Sequence, residues 1–127
     1  MTVRAIEYRK GIRKSSPIAS CTVAATSVGL YTLPTARTCV VRKVVIFNNN
    51  AAPTIVQIGT GSTALGTFVQ QLPAWYAVNG QDLEITEDQI PNVEFTANLT
   101  VQASVAAVAP NNIQVQVEIE EYQGPTA

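Results

Sequence analysis

Few residues of this 127-residue chain are equipped for chemistry. It holds no histidine, the commonest general base and a frequent metal ligand near neutral pH. A Ser-His-Asp triad, a Cys-His pair and a His-based metal site are therefore excluded within one chain. Cys21 and Cys39, its two cysteines, stand eighteen positions apart with no Cys-x-x-Cys spacing, so they do not outline a zinc set. Both sit in apolar, β-branched surroundings, which predicts buried reduced thiols acting as small hydrophobes. A bridge between them stays open should their strands be neighbours.

Gly59-Thr60-Gly61-Ser62-Thr63-Ala64 matches the dinucleotide fingerprint G-x-G-x-x-G/A after the apolar run Ile55–Ile58, with Asp82 or Glu84 about twenty residues on. The fingerprint needs a helix N-terminus to hold the pyrophosphate. Here the glycines lead into a short β-branched stretch closed by Pro73, so a hairpin loop is expected and no cofactor. The acids Asp82, Glu84, Glu87, Asp88 and Glu94 could supply a carboxylate pair or an oxygen cage for calcium, and Glu84 and Glu94 could face each other across strands. With one Trp, the chain lacks the aromatic platforms that sugar-cleaving clefts use, and solvated or intersubunit charge is the expectation. No enzyme activity, no metal and no cofactor is expected. Asn98-Leu99-Thr100 is a glycosylation sequon that carries no weight without a leader.

The residues left over are suited to binding. Residues 1–17 hold Arg4, Arg9, Lys10, Arg13 and Lys14, end in Ser15-Ser16-Pro17, and are interrupted by Gly11. Val3, Ile6 and Ile12 are too sparse for a core face. An extended basic arm that orders against a partner is expected. Its cations could neutralise phosphates, pair with an acidic protein surface, or stay solvated. All eight Lys and Arg lie in residues 1–43, which carry +7 with Glu7 counted, while residues 44–127 carry −8. An acidic body is repelled by a polyanion, so a protein partner is favoured over nucleic acid. The arm residues Arg4, Tyr8, Arg9, Lys10, Arg13 and Lys14 are candidate partner contacts, and so are Trp75 and Tyr76, adjacent aromatics beside a loop that suit a subunit contact, a sugar or the core. Neighbours on a strand point to opposite faces, so at least one of the two is expected to fill the core.

The elements that must position these residues read as strands. Ile113, Val115, Val117 and Ile119 alternate with Gln114, Gln116, Glu118 and Glu120, and Leu99, Val101, Ala103 and Val105 alternate with Thr100, Gln102 and Ser104, the signature of half-buried antiparallel strands. Pro110-Asn111-Asn112 reads as the turn between them. Further strands are expected over 18–25, 29–33, 37–48, 54–59, 66–72, 75–78, 82–86 and 92–97, and no segment supports a helix of ten residues. Short strands at intervals of about 8 to 12 residues predict one all-β domain, an antiparallel β-sandwich of jelly-roll type over 18–127, preceded by the arm over 1–17. Charged residues are 13% of the chain, about half the usual share; 14 Thr, 9 Gln and 8 Asn take their place. There is no run of 18 apolar residues, so no membrane span is expected.

Val28-Gly29-Leu30-Tyr31-Thr32-Leu33-Pro34 followed by Arg37–Asn50, and Val78-Asn79-Gly80-Gln81-Asp82-Leu83-Glu84-Ile85 with Val115–Tyr122, together resemble small virion proteins of tailed bacteriophages. In these a Leu-Tyr-x-x-Pro turn feeds a long strand that ends in an Asn-containing hairpin, and an acid-rich strand comes last. The resemblance covers roughly residues 28–122; Thr35-Ala36 stands where a Gly is common, and the basic arm lies outside it. It implies a non-enzymatic capsid decoration (cement) protein or an appendage subunit, made in the host cytoplasm and located in the virion. Its implied partners are further copies of itself, as a homotrimer, and the major capsid protein or another virion protein. The competing expectation is an appendage module that recognises host-surface carbohydrate through the loops at Gly59–Ser62 and Trp75-Tyr76.

Overall fold

In the computed structural model, which describes residues 11–50, 52–78, 80–105 and 113–123, the chain forms strands and no α-helix among the described residues. In chain order these are β1 (Ile12–Ser15), β2 (Ala19–Ser20), β3 (Val28–Tyr31), β4 (Arg37–Asn48), β5 (Thr54–Thr60), β6 (Val69–Gln70), β7 (Trp75–Ala77), β8 (Gln81–Ile85), β9 (Glu94–Phe95), β10 (Leu99–Ala103) and β11 (Ile113–Gln123), with one 3-10 turn at Glu87–Gln89.

Two antiparallel sheets face each other. Sheet I runs β1-β11-β4-β8, with β2 also on β11 and β9 also on β4; sheet II runs β3-β10-β5-β6, with β7 also on β5. Counting β1 with β2, β6 with β7, and β8 with β9 as interrupted strands leaves four strands per sheet. The chain then changes sheet at every connection except that from β5 to β6 and β7, the path of an eight-stranded jelly roll.

The alternation that marks β11 in the sequence sets its orientation. Ile113, Val115, Val117 and Ile119 are buried, while Gln114, Gln116, Glu118 and Glu120 are half-buried on the outside. They meet Val44 and Ile46 of β4 within sheet I and Val56, Ile58, Leu99, Val101 and Ala103 of sheet II across the sandwich, with Leu30, Leu72, Phe95 and Ile85 in the same buried cluster. At roughly 1.5–3 kcal/mol for each fully buried large aliphatic side chain, this layer is the main stabilising term. The long β4–β11 ladder is broken once: Val41 faces Ile119 and Lys43 faces Glu118, so Arg42 is the extra residue of a β-bulge on β4.

The N-terminal segment departs from expectation. Residues 1–10, with Arg4, Tyr8, Arg9 and Lys10, lie outside the described residues. Ile12–Ser15, expected in the arm, are instead a strand paired antiparallel with Glu118–Glu121 of the same chain. Ser15 faces Glu118 and Ala19 faces Val115, so β1 and β2 are one strand with an extra residue between them. Buried Ser16 closes that irregularity: its N–H donates to Val117 O at 2.8 Å, and its hydroxyl oxygen accepts from Val117 N–H at 3.0 Å. The expected division at Ile18 thus falls inside an interrupted sheet strand. The turn expected at Pro110-Asn111-Asn112 lies outside the described residues.

Candidate interaction surfaces

The last strand supplies acids to both faces of sheet I, and the basic residues of β1 and β4 are aimed at them. Glu118 and Glu120 lie on the outer face, where Arg13 spans them: its guanidinium is 3.1 Å from Glu118, 3.9 Å from Glu120 and 2.9 Å from Glu87 in the 3-10 turn. The bulge at Arg42 turns that side chain onto the same group, 2.8 Å from Glu120 and 3.5 Å from Glu87, while its Nη2 donates to the Tyr122 hydroxyl at 2.9 Å. Burial alone would raise the Glu120 carboxyl, but hydrogen bonds involving Tyr122 and Arg42, and the charges of Arg42 and Arg13, hold it below its ordinary value. Lys43 and Glu84 add a looser pair at 3.6 Å.

Glu121 takes the next inward position of the β11 alternation and is 1% exposed. Lys14 Nζ reaches it at 2.6 Å from the edge strand, and the Tyr31 hydroxyl donates to its other oxygen at 2.8 Å. The Lys14 hydrogen bond holds the Glu121 carboxyl below its ordinary value against the opposing effect of burial, with help from Tyr31 and Arg37. Tyr31 is pushed up to about 12, by burial first and then by its bond to the Glu121 anion. Arg13 and Lys14 therefore pair with acids of their own chain, where acids of a partner were expected.

Trp75 and Tyr76 separate as neighbours on a strand must. Trp75 faces buried Val56 and packs against the core, whereas Tyr76 faces Ile55 and is 61% exposed. Around them, sheet II differs from sheet I in one respect that no single strand reveals. Every Asp, Glu, Lys and Arg among the described residues belongs to sheet I or to the Glu87–Gln89 turn, and the five strands of sheet II contain none. Its outer face carries amides instead: Gln57 Nε2 donates to Gln70 at 2.9 Å, and Gln102 Nε2 donates to Gln57.

The chemical candidates resolve simply. Gly59 and Gly61 serve a hairpin: β6 passes so close to Gly59 that a side chain there would meet the Val69 carbonyl, and Gly61 has φ +81°. The loop is closed by Thr67 N–H donating to Ser62 O at 2.8 Å, and it leads to no helix. Glu84 and Glu94 do not face each other. They pair with Val45 and Val40 along one edge of β4, five residues or roughly 17 Å apart, beyond the ~5–9.5 Å of a glycosidase pair. Among the described residues no cluster of His, Cys, Asp or Glu is arranged to hold a metal. Cys21 and Cys39 are buried free thiols at opposite ends of β11: the Cys21 N–H donates to Ile113 O, and Cys39 pairs with Glu121. Burial raises Cys21 to about 11, and burial with the nearby Glu121 and Glu94 charges raises Cys39 to about 12. The Asn98 side chain of the sequon accepts from Leu33 N–H at 2.9 Å. A shallow hollow of about 100 Å³ on sheet I, between Ser15, Lys43, Gln116 and Glu118, is well below the ~300 Å³ at which ligand pockets begin.

No family model matches the chain, and no curated protein matches it. Among solved structures it is similar to a chain of the Bacillus endospore appendages, a family of disulfide-linked pili, with 11% identity, a TM-score of 0.50, and coverage of 92% of this chain and 91% of that one. Weaker similarities are to a chain of the cyanophage Pam1 capsid asymmetric unit (19% identity, TM-score 0.37, 91% and 87% covered) and to one of the VLP of the giant freshwater prawn Macrobrachium rosenbergii extra small virus (11%, 0.39, 91% and 81%). At these identities the likeness is one of fold.

Proposed function

We propose that this chain is a non-enzymatic structural subunit of a virion, a capsid decoration protein that binds and stabilises a phage head shell. The observation that carries the reading is where the phage-like residues fall. The Leu30-Tyr31-x-x-Pro34 turn leads from β3 into the twelve-residue β4. At its end Asn48 donates to the carbonyls of Ala52 and Ala77 and accepts from Asn50 N–H. The final acid-rich strand pairs with the whole of β4. A pattern met first as sequence thus describes the spine of sheet I. A jelly roll by itself does not specify function, and the charge distribution of the sequence adds to the reading: Arg4, Arg9 and Lys10, which lie outside the described residues, are the cations assigned to an acidic surface of a shell partner. Copies assemble as a homo-oligomer, a trimer by analogy with virion subunits.

The test is binding of the purified protein to emptied capsids of its source virus, with cryo-electron microscopy of the particle to locate it. Saturable binding that raises the heat resistance of the shell is expected. A protein that ignores capsids and binds glycans on an array refutes the decoration role in favour of the carbohydrate-recognising appendage, for which exposed Tyr76 is the supporting observation.

A further inference from the structure

We propose that the outer face of sheet II is the surface through which copies of this chain pack on one another, its occupant being a second copy. The inference rests on the reading of the chain as an assembling subunit and names the contact that reading leaves open.

Three observations converge on this face. The first is its lack of charge in a chain whose other sheet, with the short turn beside it, holds every charged residue described. Interface cores are depleted of charge, and a neutral face meets a copy of itself without repulsion. Sheet I would have to desolvate Glu118, Glu84 and Lys43 to do the same. The second is its apolar content: Ile55 and Tyr76, 42% and 61% exposed, form a cross-strand pair where edge strand β7 meets β5, and Leu65, Val69 and Val78 are exposed in the segments before, within and after that edge. The third is the bonded row Gln70-Gln57-Gln102 beside that pair. Amides already ordered and bonded to one another lose little hydration and little rotamer freedom when covered.

The size suits a weak contact. The strands of sheet II hold 21 residues, which at ~4.8 Å spacing and ~3.3 Å rise give a footprint of roughly 330 Å², so the strands of two copies bury about 670 Å². That is the range of a weak association, below the ~1,000 Å² of a stable one, and it places self-association at micromolar concentrations and above.

Sedimentation velocity between 1 and 100 µM, on the full chain and on Gln57→Lys and Tyr76→Ser, tests this. The full chain is expected to self-associate, and each variant to weaken association at least tenfold while keeping the β-rich circular dichroism and melting temperature of the parent. Gln114→Lys on sheet I is expected to associate as the parent does. A full chain that stays monomeric to 100 µM, variants that associate like the parent, or equal loss in Gln114→Lys would overturn the assignment. So would a Tyr76-dependent glycan signal without self-association, which gives the face to a sugar. Self-association through this face by a protein that ignores capsids leaves the inference standing and removes the decoration role alone.

Discussion

Replacing Lys14 by Met keeps the stem as far as Cε, removes the ammonium group and strips Glu121 of its cation. The pair is 2.6 Å apart with Glu121 1% and Lys14 41% exposed. At an effective dielectric of ~20 two unit charges at that distance attract by about 6 kcal/mol, most of it offset by the desolvation of Glu121. Water reaches the vacated Lys14 site, and the Tyr31 bond remains, so the net loss at pH 7 is placed at ~2 kcal/mol. For a chain of this size that is a fall of roughly 7 °C in melting temperature. The sign with pH comes from the depressed Glu121 carboxyl: the stabilisation is complete above the unfolded carboxylate value of about 4.5 and is lost as pH falls through the lower folded value. The parent and Lys14→Met should therefore differ most at neutral pH, with the gap narrowing as pH falls below about 4.5, and adding Glu121→Gln to Lys14→Met should recover much of the loss. Thermal melts of the four-protein cycle at pH 7 and pH 3 measure this. Equal melting temperatures at pH 7, or a difference that persists unchanged at pH 3, would refute the account of a buried carboxylate held by the edge strand.

Deleting residues 1–14 removes three of the four β1 residues and both of its cations, so the truncated protein should melt below Lys14→Met and its exposed β11 edge should promote aggregation, measured by melting and light scattering. Gly59→Ala forces a methyl group into the Val69 carbonyl and should destabilise by at least ~1–3 kcal/mol, with hydrogen exchange rising first in β6. Cys21 and Cys39 should resist a thiol reagent at pH 8 in the native protein and react at once in denaturant, since burial keeps both protonated.

What the sequence revealed depended on whether a signal was local. Strand β11 was legible because it alternates over many residues against one core, and β4, a β-branched apolar run bounded by turn residues, begins and ends where expected. The jelly-roll class came from spacing and turns. β1 escaped because its four residues are all exposed, with no apolar period, and its partners lie more than a hundred positions away. Glu121 was not singled out, although the odd-numbered alternation from Ile113 onward already assigns it to the inner face. The confinement of charge to one sheet was hidden for another reason. The chain visits the sheets in turn, so a division between halves of the sequence gives no hint of a division between layers. Trp75 and Tyr76 were placed on opposite faces by strand geometry alone, and only the register decided which one faces the core.

The position of β11 sets what must close late in folding. It lies inside sheet I, between β1 with β2 on one side and β4 on the other, and its β1 partners are more than a hundred positions away. Closing loops of this length is slow, so β4 waits with an open edge until β11 inserts beside it. In that interval the open edge of β4 is a template that the β11 of any nearby copy can also fill. At high concentration folding is therefore a race between self-closure and exchange between copies, and the rate at which β11 inserts decides how much of the yield is correctly closed.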